Sequence, residues 1–339
     1  MNIINKLFDE QFVINLFKKR VLPEYPNFNN IKRVEIIPCK KYIWEETYHV
    51  VIEFKTFFTN KEGKAKKLSI YCSAHSNEPR KNVYDGLKFL WNHGFNKGYL
   101  SIPHPLFYSH QFKAIFYRGA NGRNLYRFIR EKNLKEIKEI IPKAAAWFAK
   151  LHKIQTKNAH NFNRKNSRIE TVIPGIEHIL ERIKEHYEEY YEDYKKMHEI
   201  FNKKEKDFFA STAKRWLVHG DAHPENIIKM SKRKIAMIDF TDLCLSDFAR
   251  DLGAFTQQVE FMCNRKIGNP EYARKIKDLF LENYLHCSKI ILNNSLKERI
   301  DNYYNWTAIR TATFFLLKYN PEPERARPLI DKVRHNLKI

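Results

Sequence analysis

Residues 217–226 read Leu217-Val-His219-Gly220-Asp221-Ala-His223-Pro224-Glu225-Asn226, and a second run, Ala236-Met-Ile-Asp239-Phe240, follows shortly after. An apolar run ends in an aspartate, an amide comes five residues later, and a second carboxylate closes the second apolar run. Carboxylate and amide oxygens suit Mg²⁺, a hard cation that keeps several waters and shares phosphate oxygens. The aspartate not needed by a metal is free to orient a hydroxyl and accept its proton. Phosphoryl transfer needs that division of labour: a base, an Asn and an Asp on Mg²⁺, and a nucleotide. Alone, an Asp or Asn after a strand reads as a helix cap or a turn. The functional reading rests on all three residues together.

Outward from this stretch the chain changes character. Leu7, Phe8, Phe12, Val13, Leu16 and Phe17 recur at helical spacing, which predicts an amphipathic opening helix packed on the body. Segments 33–38, 48–58 and 68–73 are rich in β-branched and aromatic residues. The polar turn Thr59-Asn-Lys-Glu-Gly63 makes an antiparallel hairpin of the last two. Between 79 and 92, Val83, Leu87, Leu90 and Trp91 share one helical stripe, with Gly94 placed as its stop. A strand at 114–117 is broken by Gly119-Ala-Asn-Gly122. Helical periodicity then dominates, at 134–154, in one long helix over 176–210, and in several segments from 249 to 338. The exception is a short β-like pair, 216–218 with 234–238, around the 219–226 loop.

The set His219-Gly-Asp221-x-His-x-x-Asn226 with Ile238-Asp239-Phe240 resembles the aminoglycoside phosphotransferase and choline kinase group of the protein kinase-like fold. Those proteins carry HGDxxxxN and IDF motifs, counterparts of the protein-kinase HRDxxxxN and DFG. Leu245-Ser246-Asp247-Phe248-Ala-Arg-Asp251-Leu252 is similar to their GDPxxDL element, with Ser246 for Gly and Phe248 for Pro. Ala144-Ala-Ala-Trp-Phe-Ala-Lys-Leu151-His152 resembles the helix before their catalytic loop. The resemblance implies an α+β, two-lobed fold: a strand-rich N-terminal lobe over 1–118 on the nucleotide side, and a helical C-terminal lobe over 119–339. The latter would hold the catalytic loop 219–226, the metal motif 238–240 and the acceptor side. By the same resemblance Asp221 would be the catalytic base, Asn226 and Asp239 the Mg²⁺ ligands, and His219 and Asp251 braces behind the loop. The crossover at Arg118 and Ala120 would meet adenine of ATP through its backbone.

The departures from the pattern matter as much. The expected third-strand lysine is missing from Leu68-Ser-Ile-Tyr-Cys-Ser-Ala74, leaving Lys66, Lys67 or Arg80 as stand-ins for a phosphate-binding cation. No glycine precedes Gly63, so the loop joining the first two strands would be 38–45, where Lys40 and Lys41 could meet phosphates. These gaps leave a second reading open, a nucleotide-binding pseudokinase acting as a regulatory or scaffold module.

Composition bounds the alternatives. The 339 residues carry 61 Lys and Arg against 39 Asp and Glu, a net charge of +22. Nine of the excess positive charges fall in 1–118 and thirteen in 119–339, so no basic arm or tail is set apart. No RNA-binding aromatic signature or helix-turn-helix spacing appears, and no dedicated nucleic-acid site is expected. Five scattered cysteines do not make a disulfide framework or a zinc site. Asp9 and Glu10 interrupt any leader-like apolar core, and no run approaches the roughly 20 apolar residues of a membrane span. The expectation is a cytoplasmic phosphotransferase using ATP and Mg²⁺ on a hydroxyl of a small molecule: an amino-sugar, a sugar or an amino-alcohol. For a cationic acceptor, Glu188, Glu189, Glu192 and Asp193 are candidate pocket acids.

Overall fold

Alternation of apolar and polar residues builds the front of the molecule. In strand β2 (Tyr48–Asn60) every second residue from Tyr48 to Phe58 is buried, as a strand with one covered face requires. The computed structural model describes residues 2–339 and parts the chain into two units: 1–122 with 230–241, and 123–229 with 242–339.

In the first unit a five-stranded antiparallel sheet runs in the order β1 (Phe28–Ile43), β2, β3 (Ala65–His75), then β6 (Ala114–Arg118) and β5 (His104–Ser109). The predicted hairpin is β2–β3, in register from His49 opposite His75 to Thr59 opposite Ala65. The opening helix α1 (Glu10–Arg20) starts at Asp9, whose carboxylate accepts from the Phe12 N–H at 2.6 Å. Its Phe17 is fully buried and meets Phe54 edge-on at 5.2 Å, which seats the helix on the covered sheet face. Helix α2 (Lys81–Leu90) winds on to Phe95, where Gly94 takes φ +91° and stops it. A short parallel pair, β4 (Leu100–Ser101) with Ile235–Met237, carries the chain to Asp239.

Three local expectations are corrected. β1 continues to Ile43, with Lys40 opposite Val51 and Lys41 opposite Val50, so both lysines belong to a strand. The connection is the tight turn Trp44–Thr47, closed by the Trp44 N–H donating to the Thr47 carbonyl at 2.9 Å. The predicted long helix over 176–210 is two, α5 (Ile176–His186) and α6 (Tyr191–Ser211), broken where Tyr187 leaves helical geometry at φ −149°. Trp216–Val218 pairs antiparallel with Cys244–Ser246 rather than with 234–238.

The second unit is mainly helical: α3 (Leu125–Arg130), α4 (Leu134–His152), α5, α6, α7 (Ala249–Ile267), α8 (Pro270–Ser288), α9 (Asn294–Leu317) and α10 (Pro323–Leu337). Helix α4 buries Trp147, Phe148 and Leu151 on one side, at the i, i+1, i+4 spacing its sequence shows. Helices α7 and α9 approach to backbone contact at Gly253. A Cβ there would lie 2.6 Å from the Ile300 carbonyl and the Tyr304 N–H nitrogen. Among the described residues no helix is long and apolar enough to cross a membrane.

Candidate active site

The loop after Trp216–Val218 is held by its backbone. The buried Asp251, in the first turn of α7, accepts from the His219 N–H at 2.7 Å and the Gly220 N–H at 3.0 Å. The same carboxylate lies 3.1 Å from His152 Nε2, and His152 Nδ1 lies 2.9 Å from the Tyr284 hydroxyl. One side chain thereby ties the loop to α4 and, through His152, to α8. Burial opposes its ionisation, yet His152, His219 and the loop amides hold Asp251 below the usual carboxylate range. The bracing role expected of Asp251 is what the structure shows.

Gly220 takes φ +84°, and a Cβ there would run into the Asp242 backbone carbonyl. Only glycine fits, and the turn it permits presents Asp221 half-exposed at the loop tip. The Asp221 carboxylate meets His223 Nε2 at 3.2 Å, while His223 Nδ1 accepts from the Glu225 N–H at 3.3 Å. His223 Nε2 also lies 3.0 Å from Asn226 Nδ2, so ring, amide and carboxylate meet at the loop tip. Burial pushes the Asp221 carboxyl up, but His223, His219 and the Arg310 guanidinium outweigh it and hold it well below its ordinary value. Asp221 is thus a firmly ionised hydrogen-bond acceptor.

Asn226 is buried, and its Nδ2 donates to the Asp221 carbonyl at 2.9 Å and the Asp221 carboxylate at 3.3 Å. With its nitrogen so committed, the amide oxygen is the group left to serve a cation. Asp221 and Asn226 are therefore brought together within the second unit. Asp239 stands in the first unit, two residues beyond the strand end at Met237, at φ +61°. Its Oδ1 accepts from the Thr241 hydroxyl at 2.8 Å. Burial, and after it the Asp239 charge, push the Tyr117 phenol upward.

At the end of β6 Arg118 is the last ladder residue, opposite Ile70 and His104, and the Gly119 N–H donates to the Ser69 carbonyl at 3.1 Å. Ala120 lies beyond the ladder and makes no backbone hydrogen bond among the described residues. A Cβ on Gly119 would collide with the Tyr71 ring, which covers this segment and stacks on Tyr117 at 5.8 Å. Tyr71 occupies the β3 face where a phosphate-binding lysine was sought. Burial and Glu53 raise its phenol to about 12. Lys66 and Lys67 lie instead at the exposed start of β3, opposite Phe58 and Phe57. Arg80 precedes α2 and pairs with Glu78 at 3.3 Å. Asp247 is a buried structural acceptor, bound by Arg299 and by the Ala249 N–H.

Beside Asp221 opens a cavity of about 410 Å³, walled by the loop, by Ala254, Gln258 and Met262 of α7, and by α9. From α9 come Trp306, Thr307, Arg310, Thr311 and Phe314, a stripe at helical spacing. Sequence reasoning missed these residues. The available signal was Arg310, a lone charge within the run from Trp306 to Leu317. The acids put forward for an acceptor site do not line this cavity, and Asp193 is held by Arg334 of α10.

A profile of the phosphotransferase enzyme family matches residues 52–276. No curated protein matches the chain. Among solved structures, spectinomycin phosphotransferase APH(9)-Ia, in complex with ADP and spectinomycin, aligns over 98% of this chain and 99% of its own, at TM-score 0.56 and 12% identity. An ethanolamine kinase of Plasmodium vivax covers 88% of this chain and 81% of its own, at TM-score 0.54 and 14% identity. The gentamicin complex of APH(2")-IIa covers 94% and 95%, at TM-score 0.51 and 17% identity. At such identities the likeness shows the fold, a kinase-like one with an antiparallel strand-rich unit and a helical unit.

Proposed function

We propose, from the premise that the chain belongs to the phosphotransferase enzyme family, that it moves the γ-phosphoryl group of ATP to a hydroxyl of a small molecule. The observation that carries this reading is the loop tip: an ionised Asp221 projecting from a braced turn into a cavity of small-molecule size. In the reaction the acceptor oxygen forms a bond to the γ-phosphorus as the bond to the β–γ bridging oxygen breaks. ADP leaves with that electron pair, and the hydroxyl proton passes to Asp221. An aspartate held this firmly ionised works chiefly by aligning the hydroxyl and takes the proton late, which suits a loose transition state.

Asn226 through its amide oxygen and Asp239 through its carboxylate are the residues that would hold Mg²⁺. The hard-oxygen donor set fits that ion. Bound there, Mg²⁺ would supply charge neutralisation at the phosphates. Arg118 and Ala120 would meet the adenine through backbone groups, for which the unpaired Ala120 amide and carbonyl are available. The absence of membrane-crossing helices among the described residues and the free state of all five cysteines accord with a cytoplasmic setting.

The test is ADP release from Mg-ATP, with and without a panel of hydroxyl acceptors, for the wild type and Asp221→Asn. Turnover stimulated by an acceptor and reduced about 10³-fold in the variant is expected. Nucleotide binding without turnover in either protein would point instead to a nucleotide-binding module that has lost transfer.

A further inference from the structure

The cavity beside Asp221 holds a cation that no described side chain binds directly. Arg310 lies on its wall, and among the described residues its guanidinium has neither a hydrogen bond nor an ion-pair partner. The guanidinium lies over the Trp306 ring, 4.9 Å from its centroid. The carboxylates whose charges reach it are engaged elsewhere, Asp221 with His223 and Asp242 with Asn166. The charge of the buried Arg250 also reaches it, so a second positive charge lies near. Apart from the base, the only acid lining the cavity among the described residues is Glu225, which sits 4.0 Å from His223.

We infer that the acceptor carries an anionic group, a carboxylate or a phosphate, which Arg310 receives while Asp221 takes the hydroxyl. A planar guanidinium with unused N–H groups on the cavity wall matches either anion bidentately. A polycationic acceptor would meet a fixed positive charge on the wall, with Glu225 as the one described acid besides the base. The aromatic Trp306 and the apolar Met262 leave room for a short carbon skeleton between the two polar anchors. Arg310 is accordingly a specificity-determining residue. This inference rests on the transferase reading above.

The experiment measures ADP release with matched acceptors: sugar acids and hydroxy acids, sugar phosphates, and their neutral and amine-bearing counterparts. Wild type, Arg310→Gln and Arg310→Lys are compared, and inorganic phosphate and acetate are titrated into each by calorimetry. Anion-bearing acceptors should be preferred, with the acid and phosphate arms separating the two sources. Arg310→Gln should raise their KM roughly 30-fold with a smaller change in kcat, and Arg310→Lys should recover part of the loss. Inorganic anion binding should vanish in Arg310→Gln. Preference for neutral or amine acceptors overturns the inference and leaves the transferase reading standing. So does an equal fall in kcat for every acceptor with KM unchanged, which would assign Arg310 to the transferred phosphoryl group. If no acceptor is turned over, the transferase reading fails separately, and equal anion binding by wild type and Arg310→Gln then refutes the Arg310 site.

Discussion

The two units meet the demands of one reaction in different ways. In the second, the loop from His219 to Asn226 is fixed by side chains: Asp251 on two backbone amides, Arg250 on the Gly220 carbonyl, and Asn226 reaching back to Asp221. In the first, the segment proposed for adenine offers bare backbone, and the sheet face beside it shows Tyr71 and Glu53 where a lysine was sought. Positioning a proton acceptor demands named side chains at set spacing. Holding a nucleotide can be done with main chain, a ring and a metal. The first kind of site leaves a motif, whereas the second leaves little trace in residue identity.

Four substitutions probe this contrast. Asp239→Ala should be the most damaging, lowering kcat about 10³-fold at saturating ATP, comparable to Asp221→Asn. Wild-type turnover in that variant would refute the metal assignment and leave the first unit without a catalytic share.

Asp251→Ala should come next, through stability. It strands two buried amides and His152 in one step, which costs about 3 kcal/mol, read from denaturant midpoints. Because Asp251 has its carboxyl lowered on folding, its contribution is complete above the unfolded value of about 4 and is lost as pH falls through the lower folded value. The wild type should lose stability on that acid limb faster than Asp251→Asn. Parallel curves would show that the brace is steric.

Gly119→Ala should act more mildly and on the first unit alone. The added methyl displaces the Tyr71 ring, and a fall of roughly tenfold in ATP affinity is expected, with folding largely kept. Unchanged affinity would move the adenine site away from residues 118–120. Lys67→Ala should do least. Its ammonium is exposed and rests 5.7 Å over the Phe57 ring, so KM for ATP should stay within about twofold. A large rise would restore a lysine-based phosphate grip.

Legibility in the sequence followed the same division. The loop could be read because its partners lie within five residues of one another or in one element downstream. The β2–β3 hairpin and the Gly94 stop could be read because alternation and a positive φ are local matters. The extent of β1 could not, since it is an edge strand in which residues 39–42 are exposed in succession and show no alternation of burial. The break at Tyr187 was hidden by a Glu- and Lys-rich pattern that is helical on both sides of it. Three-residue strands carry no register of their own, so the partner of Trp216–Val218 was beyond reach. Arg310 was overlooked because a charge in a helix ordinarily faces water. Its exposure to a cavity is settled by α7, some fifty residues upstream.

The contact at Gly253 bears on how such an enzyme could change its diet over evolutionary time. With the backbones of α7 and α9 already touching there, the two helices have no room to close in. New acceptors must be accommodated by exchanging individual side chains along the wall, one small step per mutation. Gly253 is the residue least free to drift while that retooling proceeds.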